Sequence, residues 1–203
     1  MPASTPDRYH HGDLRNEVKR AALRMLADEG PAALSLRRVA AAAGVSHTAP
    51  RHHFADKRAL LTDLAVDGFG RLDAAIRAVT ATTGDPAERL AAMLAAYAGF
   101  HRAEPGYASI MWRNDLLDRD DPRLREGSLG TFRLLYDAVC AAGGPAVEAL
   151  GAYRASLLYW ALAHGSSTLA ERFTPGLAAA IGEDDPDLPS ADELLAQFVG
   201  VIS

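Results

Sequence analysis

The side chains between His47 and His53, with Arg37 and Lys57 flanking them, have the chemistry to hold a nucleic acid. His47, Thr48, Arg51 and His52 carry donors and acceptors of the kind that pair with base edges, and the planar fork of Arg51 fits guanine. Arg37, His53 and Lys57 suit phosphates, Lys57 because it opens a helix whose first backbone N–H groups also attract anions. Such groups act together only on one exposed surface at fixed spacing. The stretch that must present them, SLRRVAAAAGVSHTAPRHHFADK from Ser35 to Lys57, reads as two short helices joined by a tight turn. Ser35 is placed to cap the first helix, and Leu36, Val39, Ala40 and Ala43 recur on one face of it. Gly44 then leaves the helix in a left-handed conformation, Val45 plugs the turn, and Ser46 is placed to cap a second helix over about His47 to His53. The pattern is a helix-turn-helix whose second helix has the length and outward polarity of a major-groove reader. An ordinary helical hairpin with a glycine corner fits Ala40, Gly44, Val45 and Ser46 as well.

Phe54, Asp56, Lys57, Leu60 and Leu61 continue the stretch as HHFADKRALL, and YHHGDLRNEVKRAALRMLADEGPAALSLRRVA precedes it from Tyr9 to Ala40. Together these segments resemble the DNA-binding domain of the TetR family of transcriptional repressors over roughly residues 9 to 65. The chain departs from the family at Arg51, where relatives usually carry tyrosine, and Pro50 is unusual in a reading helix outside its first turn. Farther on, YWALAHGSSTLA from Tyr159 to Ala170 is similar to the C-terminal domain of one subgroup with a Trp, His and Gly signature, matched by Trp160, His164 and Gly165. A packed core pair at helical spacing is the plain alternative for Trp160 and His164. The resemblance implies an all-α chain, with a three-helix DNA-binding domain over residues 1–60 and a helical effector-binding and dimerisation domain over 61–203. It further implies a homodimeric repressor on a palindromic operator in double-stranded DNA, released by a small, mostly apolar effector, with no cofactor.

Bulk charge agrees with that division. Residues 1–60 hold 10 Lys and Arg against 6 Asp and Glu, and the rest hold 11 against 20, so a net +4 faces a net −9. Five of the seven histidines also lie in the first 60 residues, as expected where phosphates are contacted. Arg8, Tyr9, His10 and His11 extend this basic end as a candidate arm. Nearly half of the 203 residues are apolar, enough for a substantial core. No apolar run reaches the roughly 18 residues of a membrane span and the N-terminus lacks a signal-peptide core, so a cytoplasmic protein is expected. Cys140, the single cysteine, is read as a small apolar residue.

The elements that carry these groups are helical throughout by periodicity. One helix is expected over Asp13 to Asp28, ended by Gly30 and Pro31. Another, from Asp56 to about Thr82, carries Leu60, Leu61, Leu64, Phe69, Leu72, Ile76 and Val79. Asp85, Pro86 and Glu88 start the next, with Leu90, Met93, Leu94, Tyr97, Phe100 and His101 on one face until Glu104, Pro105 and Gly106 interrupt it. Further helices are expected over Pro122 to Ala142, Ala146 to Arg172 and from Ser190 to the end. Surplus aromatics in the second half suggest an effector pocket of Tyr97, Phe100, His101, Met111, Trp112, Trp160 and His164, with the two histidines as its polar groups. Gly151, Ala155, Leu158, Leu162 and Gly165, with Leu194, Leu195, Phe198 and Ile202, suggest the dimer face.

Rival classes are an enzyme and a helical carrier without DNA binding. His52, His53 and Asp56, or His10, His11 and Asp13, can be drawn as metal ligands, but adjacent helical histidines diverge by about 100°. No phosphate loop or nucleophile elbow is present. A catalytic or metal site is therefore not expected, and a carrier leaves the basic stretch without a purpose.

Overall fold

The computed structural model describes residues 11–181, with side chains over 14–168. Every regular element among them is helical: α1 (His11–Glu29), α2 (Leu36–Ala42), a 3₁₀ turn (Ala49–His52), α3 (Lys57–Thr80), α4 (Pro86–Ala103), α5 (Pro105–Met111), α6 (Pro122–Ala142), α7 (Pro145–Leu150) and α8 (Ala152–Ile181). The all-α expectation holds. The candidate arm residues Arg8, Tyr9 and His10, and the helix expected from Ser190, lie outside the described residues.

The chain packs as two compact units, the first running up to Gly68 and including Glu104–Arg125, the second comprising Phe69–Ala103 and the chain from Glu126. The boundaries fall inside α3, between α4 and α5, and inside α6. In the first unit, Val18, Ala22 and Leu26 of α1, Val39 and Ala40 of α2, Leu60, Leu61 and Leu64 of α3, and Ile110 of α5 are almost wholly buried. Full burial of one such branched side chain stabilises the fold by about 1.5–3 kcal/mol. α5 crosses α1 at Gly106, where an added Cβ would stand 2.5 Å from the Leu23 carbonyl oxygen, so only glycine permits that approach. Beyond α5 the chain is tied to α3, with Asp118 N–H donating to Thr62 Oγ1 at 2.9 Å and Arg58 donating to the Leu117 carbonyl at 3.2 Å.

A charged hub lies beneath. Asp63 and Lys19 are 6% and 7% exposed, and the Lys19 ammonium meets Asp63 at 2.7 Å and also pairs with Asp67. Arg15 reaches Asp63 at 2.7 Å and Arg123, in the first turn of α6, at 3.2 Å. Burial pushes the Asp63 carboxyl up, but the hydrogen bond and charge of Lys19, with Arg15 and Arg123, outweigh it and hold the group below its ordinary range.

In the second unit, Phe69, Leu72 and Ile76 of α3, Leu90, Met93 and Leu94 of α4, Leu135 and Val139 of α6, and Ala155, Tyr159 and Ala163 of α8 form the core. α4 starts as expected, with the Asp85 carboxylate accepting from the N–H groups of Ala87 and Glu88 at 2.9 Å each. α6 has the bounds expected of it.

Two expectations need correction here. The helix read as continuous from Ala146 is broken at Gly151, which adopts φ +77° between α7 and α8. A left-handed residue cannot continue a right-handed helix, and its neighbours' apolar spacing conceals the break. α8 then runs to Ile181, past the Arg172 end expected. With Gly151 outside α8 and Ala155 fully buried in its own chain, the proposed dimer face of α8 reduces to exposed Leu158 and half-buried Leu162 and Gly165.

Candidate nucleic-acid interface

α2 begins where Ser35 Oγ accepts from Arg38 N–H at 3.3 Å. It ends in a Schellman turn: Gly44 N–H donates to the Ala41 carbonyl at 3.1 Å and Val45 N–H to the Ala40 carbonyl at 3.0 Å, with Gly44 at φ +70°. Two of the last free carbonyls of α2 are thereby satisfied, and the chain turns towards Ser46. Arg38 braces the base of the unit, gripping both Glu29 oxygens at 2.9 Å and the Ala33 carbonyl at 2.8 Å.

The second element differs from its expectation. It is one 3₁₀ turn, Ala49–His52, rather than an α-helix from His47 to His53. Its hydrogen bonds run from Ala49 to Ser46, Arg51 to Thr48 and His53 to Pro50, each near 3.0 Å. An α-helical register would require residue 50 to donate to the Ser46 carbonyl, and proline has no N–H to give. Pro50 is instead buried at the second position of the turn. Ser46 does not cap it: Thr48 is the N-cap residue, without a side-chain cap, and the Ser46 and Thr48 hydroxyls pair with each other at 3.2 Å.

Around this turn Arg37, Ser46, His47, Thr48, Arg51 and His52 are exposed, whereas His53 and Lys57 are half-buried. Lys57 Nζ donates to the Pro31 carbonyl at 2.7 Å, which ties the start of α3 to the loop after α1. The Asp56 carboxylate caps α3 by accepting from Ala59 N–H at 2.8 Å. Between α2 and the turn lies an open hollow of about 430 Å³ lined by Arg37, Ala40, Ala41, Val45 and His47. Ala41 was not anticipated, since a small residue on the outward side of α2 carries no signal by type. Polar rims over an alanine and valine floor can engage both base edges and a thymine methyl.

The residues expected to line an effector site divide between the units. Tyr97, Phe100 and His101 of α4 and Trp160 and His164 of α8 belong to the second. There Tyr97 Oη and His164 Nδ1 are hydrogen-bonded at 2.8 Å, and the His101 ring lies 4.7 Å from Tyr97 and 5.4 Å from His164. Burial, with a smaller push from the charge of His164, lowers His101 to about 4, and burial lowers His164 as well, so both imidazoles are neutral at pH 7. Phe132 of α6, absent from the expected set, lies 6.3 Å from Trp160 and 6.1 Å from Tyr153. Its spacing of four residues from Tyr136 is the only sequence signal for it. Met111 and Trp112 belong to the first unit, where Met111 packs against Gly68. Among the described residues no cluster of three or more His, Cys, Asp or Glu could hold a metal ion, and no helix is long and apolar enough to cross a membrane.

Residues 20–64 match the family described as "Bacterial regulatory proteins, tetR family". Over 98% of this chain and 96% of the other, the fold is similar to a protein of unknown function from Rhodococcus sp. RHA1, with 33% identity and a TM-score of 0.73. The fatty acid degradation regulator FadR from Bacillus halodurans is similar at 16% identity and a TM-score of 0.68, over 98% of this chain and 96% of its own. A regulatory protein of the tetR family from Rhodococcus RHA1 is similar at 20% identity and a TM-score of 0.64, over 93% and 94%. No curated protein matches the chain.

Proposed function

We propose that this chain, whose residues 20–64 match the tetR family of bacterial regulatory proteins, is a repressor of that family that holds a palindromic operator until a small, mostly apolar molecule releases it. It is a DNA-binding regulator and not an enzyme. One observation supports the reading: the capped α2, the left-handed Gly44 turn and the 3₁₀ turn leave Arg37, His47, Thr48, Arg51 and His52 exposed, with Arg37 and His47 on the rim of one hollow. In this reading Arg51, His47, Thr48 and His52 read bases, while Arg37, Ser46, His53 and Lys57 hold the backbone. Lys57 has two roles, since one of its N–H donors already supports the Pro31 loop.

A palindrome needs two reading turns, which supports a homodimer formed through α8, at Leu158 and its neighbours, and through residues 190–203. Trp160, His164 and Gly165 support placement in the subgroup with that signature. The effector site is assigned to Tyr97, Phe100, His101, Trp160 and His164, all of the second unit. Residues 1–60 serve DNA and 61–203 the effector and the partner subunit, in the cytoplasm. Binding acts on DNA if the effector favours a state in which the two reading turns are mis-spaced.

Fluorescence anisotropy with a labelled duplex from the region upstream of the protein's own gene tests the reading. With roughly 6–10 phosphates neutralised per dimer, affinity should fall about 10³-fold or more between about 50 and 200 mM salt. Arg51→Ala should also relax base preference at one position, whereas Lys57→Ala should weaken every site alike. A flat salt response rules the interface out.

A further inference from the structure

We propose that Tyr97, His101 and His164 form the polar end of the effector site and select an amphipathic carboxylic acid over its neutral derivatives. The inference rests on the effector site assigned above and adds the chemical class of its ligand. α4 supplies Tyr97 and His101 one turn apart, and α8 supplies His164, so three polar heads meet where both helices otherwise bury Leu90, Met93, Leu94, Ala155, Tyr159 and Ala163. Trp160 adjoins His164, and Phe132 adjoins Trp160 in turn, as an aromatic flank. In this proposal the apolar side chains give way to an apolar tail, and the three polar heads give its polar end hydrogen-bonding partners.

The class of head follows from the cluster's geometry: one phenol and two imidazoles, with the His101 ring 4.7 Å from Tyr97 and 5.4 Å from His164, can converge their donors on one small polar head. Burial keeps both imidazoles neutral without ligand, and the two rings are close enough that the charge of one opposes protonation of the other. The cluster therefore accommodates one proton more readily than two. A carboxylate arriving beside it supplies the counter-charge that opposes the effect of burial: the acid enters ionised, one imidazole takes one proton from solvent, and the complex holds a carboxylate–imidazolium pair with no net charge. Such charge-assisted hydrogen bonds are roughly twice as strong as neutral ones. An amide or ester of the same skeleton gains only the neutral bond and takes up no proton. Among the residues of the two helices whose side chains are described, the other ionisable groups are Glu88, Arg89 and Arg102 on α4 and Tyr153, Arg154 and Tyr159 on α8. Tyr159 is wholly buried and its phenol is pushed up by burial, so it stays neutral beside the pair.

Calorimetry on the full chain with a panel of straight-chain and aryl-substituted acids, each beside its primary amide, tests the proposal. Titrations at pH 7.5 run in phosphate and in Tris, whose ionisation heats differ. At least one acid should bind about 10-fold or more tightly than its amide and take up close to one proton. His101→Asn and His164→Asn should together abolish the uptake and level acid with amide. If those variants fail to fold, proton uptake by the natural chain decides alone. Equal binding of acid and amide, or acid binding without proton uptake, overturns the acid class and leaves the site. Binding of no member of the panel, or binding that leaves Trp160 emission unchanged, overturns the site and the class together.

Discussion

The two units bury polar groups in opposite ways. The first buries charge: Asp63 of α3 is held between Lys19 and Arg15 of α1 and Arg123 in the first turn of α6. The second buries polarity without charge, in Tyr97, His101 and His164. A charged hub in a low-dielectric interior has one good geometry, because a small displacement leaves an ion without its partner. That suits a unit that must hold a reading turn in place. A neutral imidazole pair resists protonation until a counter-charge stands beside it, which suits a group that answers a ligand.

The largest effect should come from breaking the hub. Asp63→Ala leaves the buried Lys19 ammonium with only the part-exposed Asp67 as partner, so the cost should approach that of a broken buried pair, about 3–5 kcal/mol, from below. Arg15 and Arg123 are 42% and 56% exposed at their side chains, so both can turn to water and contribute little of that cost. Urea unfolding measures it. Lys19→Met with Asp63→Leu should recover most of the loss, since an apolar pair leaves no orphaned charge. A single variant that costs under about 1 kcal/mol would remove the contrast between the units.

Acid should separate the units next. His101 titrates near 6.5 when unfolded and at about 4 when folded, so the native state resists protonation. Its stabilisation is complete above pH 6.5 and is lost as pH falls towards 4, in total by about 3 kcal/mol. Asp63 is depressed below 3.8, so its contribution is lost only at lower pH, as the carboxylate itself protonates. The unit with the imidazoles should loosen first. Trp112 belongs to the first unit and Trp160 to the second, so Trp112→Phe and Trp160→Phe each leave one reporter. Coincident acid transitions of the two reporters would show that neither unit's buried chemistry acts by itself.

What the sequence made legible was local. Ser35 and Asp85 cap helices, Gly44 turns left-handed, and α6 keeps the bounds read for it, because each signal lies within a few residues of its effect. Pro50 also announced itself as unusual, yet its consequence, a 3₁₀ turn in place of a reading helix, depends on which carbonyl loses its donor. What stayed hidden was long-range. Asp63 meets partners 48, 44 and 60 residues away, and no periodicity marks such pairs. Residues 104–125 join the N-terminal helices because α5 approaches α1 at Gly106, a contact that a glycine read as a helix interruption did not suggest. Among the DNA candidates, exposure at Arg37, His47, Thr48, Arg51 and His52 followed from polarity alone, whereas the Pro31 contact of Lys57 did not.

Two glycines of the first unit sharpen the comparison at smaller scale. Gly106→Ala places a methyl group 2.5 Å from the Leu23 carbonyl oxygen, and neither backbone has a rotamer to change. The helices must part, at about 1–3 kcal/mol. Asparagine there should be worse than alanine, because the site lacks room.

Gly44 is the smallest case and reverses that order. A Cβ at Gly44 meets nothing within 4 Å, so Gly44→Ala is opposed only by the backbone, which must hold φ near +70°. A non-glycine residue in that region costs about 1–2 kcal/mol, and asparagine less, because its short amide bonds locally and tolerates the conformation. Thermal unfolding should therefore rank glycine above asparagine and asparagine above alanine at position 44, the reverse of the asparagine and alanine order at 106. The same series should weaken DNA binding in step, since the Schellman bonds of Gly44 and Val45 direct the chain into the 3₁₀ turn that carries Arg51 and His52. Alanine at 44 with full stability but weakened binding would mean that the turn relaxes and moves the reader without strain. Loss of stability with unchanged binding would mean that DNA restores the turn on contact, and the rigid placement inferred for this unit would not extend to its reading surface.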